Sequence, residues 1–195
     1  MKSTFFVLAL AALVSACAGS APPPQWYQLR TAPPVAVDPG VPVPGAQVLQ
    51  LLMPVAIPEL LERDTLLLPQ GQAGVLALAG HRWAEPLREA VPRLLRHDLA
   101  ALLGEARVWA APVPPGVMVT WQLRVEVLAL QTVADGSAVA LQARWTLSDP
   151  SGRTGPLVQT ALISAPSAGP TPDAWVVAHR LALWRLAEQV AQAVR

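Results

Sequence analysis

This chain has little cysteine, lysine, aromatic character or charge, and each shortage excludes something. Cys17 is the only cysteine, so no intramolecular disulfide can form and a thiolate metal centre lacks its ligands. Lys2 is the only lysine. Once residues 1–16 are set aside, 13 arginines face 13 acidic residues. Such a near-neutral balance excludes a polyanion, and with it nucleic acid, as the main partner. The longest early apolar run, Phe5 to Val14, is about half of the ~20 residues that a spanning helix needs. A glycine-rich phosphate loop and a Gly-x-Ser-x-Gly elbow are both missing. What remains is 195 residues, 53% hydrophobic and 14% charged. That is enough for one well-buried domain and far from a disordered composition.

The first feature present is Val14-Ser15-Ala16-Cys17. A short basic start, an apolar core and small residues lead into this lone cysteine, which is the pattern of a signal peptide ending in a bacterial lipobox. Residues 1–16 read as a signal peptide and 17–24 as the lipidated cysteine and a flexible tether stiffened by Pro22 to Pro24. In this reading the only attached group is covalent: diacylglycerol on the Cys17 thiol and an acyl chain on its new amino terminus. No cofactor or metal is expected. Ala18, where an aspartate would favour the inner membrane, points to the periplasmic face of the outer membrane in a Gram-negative host.

Residues 25–195 read as a single α+β domain, a mainly antiparallel sheet with two helices packed on one face. Strands are expected at 26–30, 47–53, 75–79, 107–110, 117–131, 137–148 and 156–164. Prolines from Pro33 to Pro44 mark an extended surface connection. A first helix is expected from Trp83 to Leu103, kinked at Pro92 and ended by Gly104, because Leu87, Val91, Leu94, Leu95, Leu99 and Leu102 share one face. A second, from Asp173 to Val194, is capped by Thr171 and turns Val176, Leu183, Leu186, Val190 and Ala193 to the core. Alternation along the two long strands predicts a hairpin with a three-residue loop, Ala134 to Gly136. That loop pairs Val133 with Ser137, Val125 with Trp145 and Glu126 with Arg144.

Catalytic chemistry finds no constellation, and the chain reads as a non-enzyme. His81, His97 and His179 lie apart without ligand spacing, which favours solvated or structural roles. Asp98 points away from its neighbour His97 on a helix. Glu85 and Glu89, with Arg82 and Arg93 in reach, suit surface ion pairs. The stretch Leu60 to Leu68 reads as an apolar loop that either covers the core or offers a contact surface.

Three segments resemble one family. Trp26-Tyr27-Gln28-Leu29 is similar to its aromatic start after the lipidated cysteine. Ile57-Pro58-Glu59-Leu60-Leu61-Glu62-Arg63 resembles its Ile-Pro-x-Tyr-Leu-Asp-Arg segment. His81-Arg82-Trp83-Ala84-Glu85-Pro86-Leu87 contains its Arg-Trp-Ala-Glu-Pro-Leu motif. The family is that of PqiC-type auxiliary lipoproteins of ABC-type transport systems. This sequence departs from it at Leu60, Glu62 and Asp64, where Tyr, Asp and Pro are usual. The resemblance implies an outer-membrane-anchored accessory of an intermembrane lipid transport system. Its partner would be a periplasmic MCE-domain protein that forms the conduit, with room for a ring-shaped homo-oligomer. The partner-contact candidates are Leu60 and Leu61 of the apolar stretch, with Arg63, Trp83 and Glu85; for Trp83 and Glu85, anchoring the start of the helix is an equal alternative. The alternative is a periplasmic lipid-binding carrier, which requires an enclosed apolar cavity.

Overall fold

The computed structural model describes residues 22–35 and 47–194. The signal peptide, Cys17 and most of the proline-rich connection lie outside the described residues. Two sheets and two helices build the domain. The elements are β1 (Gln25–Tyr27), β2 (Leu49–Leu51), a 3-10 turn (Glu59–Glu62), β3 (Thr65–Gln70), β4 (Gly74–Trp83) and α1 (Leu87–Leu103). They continue with β5 (Val108–Ala110), β6 (Trp121–Thr132), β7 (Ala138–Ser148), β8 (Leu157–Pro166) and α2 (Pro172–Val194).

The α+β class stands, but the expected single, mainly antiparallel sheet is in fact two mixed ones. A five-stranded sheet runs β5-β2-β6-β7-β8 and a three-stranded sheet runs β1-β4-β3. Short β1 pairs parallel with β4, and short β2 lies parallel to both β5 and β6. Parallel neighbours need long crossovers. Here the chain supplies one between β2 and β5, a span that holds the β3–β4 hairpin and α1. Hairpins account for the antiparallel pairs β3–β4, β6–β7 and β7–β8.

Alternation in β6 and β7 places Leu123, Val125, Val127, Val139, Leu141, Ala143, Trp145 and Leu147 in the core. Helix α2 packs across β6, β7 and β8, and α1 packs against α2 and β5. The α1 face meets expectation, with Leu87, Val91, Leu94, Leu95 and Leu99 buried. On α2, Val176, Leu183, Leu186 and Val190 are buried, whereas Ala193 is exposed. Thr171 caps α2 through its hydroxyl, which accepts from the Ala174 amide at 3.3 Å. Gly104 ends α1 with φ 107° and its amide donates to the Ala100 carbonyl.

Three local expectations need correction. Helix α1 begins at Leu87 rather than Trp83, with Pro92 inside its span, and leaves Trp83 as the last residue of β4. Pro86 explains this, since a proline disfavours helical geometry in the residue before it. The stretch Leu60 to Leu68 is a 3-10 turn followed by β3 rather than a loop, because β3 finds a partner in β4. In the long hairpin, Val125 does face Trp145 and Glu126 does face Arg144, yet Thr132 faces Val139. The Val133 amide donates to the Ala138 carbonyl, so the loop is one residue longer than expected. A bulge at Leu128 absorbs the extra residue and restores the register beyond it.

Candidate functional site

Between the β3–β4 hairpin and the C-terminal half of β6 lies a cleft of about 290 Å³. The 3-10 turn closes one end, and Trp175 and His179 of α2 line its depth. Leu60, Leu61, Arg63 and Trp83 all line it, although Trp83 lies twenty residues beyond Arg63 in the chain. Backbone pairing brings them together: the Trp83 amide donates to the Asp64 carbonyl at 2.6 Å, and the next amide, of Ala84, to the Tyr27 carbonyl at 2.8 Å. Leu60 is 41% exposed, Arg63 is exposed and Leu61 is half-buried against the core. Trp83 is buried. Glu85 stands outside the cleft and pairs with Arg93 at 2.5 Å, while Arg93 also donates to the Thr31 hydroxyl at 3.2 Å.

His179 sits at the depth of the cleft. Its ring meets Trp83 edge-on, centroids 5.5 Å apart. Nδ1 lies 2.7 Å from the Trp175 carbonyl oxygen, which can only accept, so Nδ1 carries the proton of a neutral imidazole. Burial lowers its pKa to about 4. Trp175 in turn donates from its indole to the Gly136 carbonyl at 3.0 Å. Among the described residues its hydrogen-bond partner is the Trp175 carbonyl and its ring neighbour is Trp83, contacts that pack the ring in the core. Among the described residues no cluster of His, Asp and Glu is placed to hold a metal ion. No helix among them is long and apolar enough to cross a membrane.

Behind the cleft lies a feature that the sequence reading passed over. Arg180 of α2 grips Asp98 of α1 through two bonds, 2.7 and 2.5 Å, with both residues buried. Nε of Arg180 donates to the Arg30 carbonyl at 2.7 Å, and the terminal nitrogen to that of Thr31 at 3.2 Å. Burial pushes the Asp98 carboxyl up in pKa, and the Arg180 hydrogen bonds oppose that shift. The signal was present: Asp98 falls four residues after Leu94 and four before Leu102, inside the apolar stripe of α1.

Comparison with known proteins names the family. The family described as ABC-type transport auxiliary lipoprotein component matches residues 27–191. The chain belongs to it. No curated protein matches the sequence. Two solved structures resemble this auxiliary lipoprotein in fold. One, described only as an uncharacterized protein, is 17% identical with a TM-score of 0.71, covering 89% of this chain and 100% of its own. A Xanthomonas campestris protein of the DUF330 family is 16% identical with a TM-score of 0.63, covering 86% and 92%. At such identities they bear on the fold alone.

Proposed function

We propose that this auxiliary lipoprotein is a non-enzymatic docking factor, anchored through Cys17 to the periplasmic face of the outer membrane. There it receives the far end of an MCE-domain conduit that carries lipid across the periplasm. The cleft is its contact surface. One observation carries the assignment: two family-like segments distant in sequence meet at one apolar recess, the first through Pro58, Leu60, Leu61 and Arg63 and the second through Trp83. Leu60 and Arg63 stand at its rim. Exposed apolar residues around a concave site favour an inserted side chain of a partner. A carrier of whole lipids fits less well, since about 290 Å³ is at the small end of ligand sites, roughly 300–1,000 Å³.

Retention of an MCE-domain protein by the tagged, lipidated chain tests the proposal. Leu60→Asp and Arg63→Glu alter exposed side chains and leave the core alone, so the folded variants should lose that retention. A wild-type chain that retains no MCE-domain protein would sink the idea.

A further inference from the structure

The β3–β4 hairpin is apolar on both sides. From Thr65 to Gly80 it carries no charged residue. Cross-strand pairs alternate between its faces: Leu68 opposite Leu76 on one, Leu67 opposite Ala77 and Pro69 opposite Val75 on the other. A hairpin in water normally turns one polar face outward, as β7 does with exposed Gln142 and Arg144. Here Val75 is 48% and Leu76 45% exposed.

Topology fixes where this hairpin points. Strand β1 runs parallel to β4, with Gln25 opposite His81. The chain preceding Gln25 therefore leaves the sheet toward the end at which β4 begins, the end where the hairpin turns. Thr65 pairs with Arg82 and Gln70 with Gly74, so over this stretch β4 advances only as far as the five steps of β3, about 16 Å at ~3.3 Å per residue, its surplus residues being taken up by a bulge. From Gln25 back to Cys17 the chain spans at most ~29 Å when fully extended, and about 16 Å as a relaxed coil. At its relaxed length the tether thus brings the lipidated residue level with the turn of the hairpin. A tether shorter than about 16 Å carries the turn to the bilayer surface or below.

We infer that the β3–β4 hairpin is a membrane-contacting element that dips into the leaflet holding the Cys17 acyl chains. The inference rests on the lipid anchoring proposed above. Since the hairpin has no charge, it engages the apolar and interfacial layer of the bilayer and needs no anionic headgroup.

The test uses the mature, acylated chain carrying Gln72→Cys at the turn or Gly155→Cys in the β7–β8 connection. A Cβ at Gly155 meets no heavy atom within 4 Å. Intact mass first establishes acylation of Cys17, which leaves the new thiol as the single labelling site. Each variant then receives an environment-sensitive fluorophore and is reconstituted in phosphatidylcholine vesicles containing a bilayer-embedded quencher. The label at position 72 should shift to the blue and be quenched several-fold more strongly than that at 155. An acylated protein in which both labels remain equally wet overturns the inference. So does a label at 72 that is shielded only when an MCE-domain protein is added, because the hairpin then belongs to a protein contact. A mass without acyl chains removes the anchor, and with it the inference, before any fluorescence is read.

Discussion

Two buried polar residues, His179 and Arg180, carry separate consequences, one for pH and one for mutation. His179 has a folded pKa of about 4 against an unfolded value near 6.5. Above about pH 6.5 both states are neutral and the stability is complete. As pH falls from there toward 4, the unfolded chain takes a proton that the folded one refuses, and stability drops by up to ~1.4 kcal/mol per unit. Urea midpoints at pH 7 and pH 5 should show a loss that His179→Leu reduces by about 2 kcal/mol; an unchanged loss would clear His179 of responsibility. Arg180 presents the other case. Removing one partner of a buried ion pair strands the other charge, at a cost of about 3–5 kcal/mol. Arg180→Ala should therefore destabilise strongly, whereas Asp98→Leu combined with Arg180→Met should cost much less than the two single changes together. Denaturant titration of the three variants decides this. Hydrophobic spacing revealed the stripe that contains Asp98. Its partner stayed hidden because Arg180 lies on another helix, and an ion pair between helices leaves no periodic trace.

At the scale of elements, the legible parts were those whose pattern is local. Alternation gave the β6 and β7 core faces, and the 3.6-residue spacing gave both helices. Short β1 and β2 were legible in position but not in pairing, because they take parallel partners chosen by tertiary contacts, and β3 was not legible as a strand at all. The long hairpin shows the limit most clearly: its register near Trp145 followed from matching apolar faces, while the Leu128 bulge, which depends on loop length, did not. Gly136 is the pivot of that loop, at φ 70°. A Cβ there would lie 3.0 Å from the Trp175 indole nitrogen, so both backbone strain and a clash oppose substitution. Gly136→Ala should destabilise by roughly 1–2 kcal/mol and lower the melting temperature. An unchanged melting curve would show that the indole swings aside and that the turn relaxes.

For the whole molecule, location and docking converge. The cleft lined by Leu60, Leu61, Arg63 and Trp83 is walled by the β3–β4 hairpin, so with that hairpin in the leaflet, as proposed, a conduit seated there would end close to lipid. Four of the residues chosen from the sequence share this site, and Glu85 does not, because Pro86 turns the chain away before α1. Cys17→Ala should give a domain that folds normally yet fractionates away from the outer membrane, with transport impaired. Full transport by that unlipidated protein would mean that position at the membrane is dispensable.

The contacts of Arg180 with the Arg30 and Thr31 carbonyls have a mechanical consequence. A pull on the chain before Gln25 would arrive at β1, which pairs with β4 through three residues. Were β1 to peel away unopposed, the slack between anchor and body would lengthen by about 20 Å. The guanidinium grips the backbone just beyond that strand and is itself braced by a carboxylate on the neighbouring helix. A load on the N-terminal segment would thereby pass into both helices at once, and no further slack would be drawn from the body of the domain.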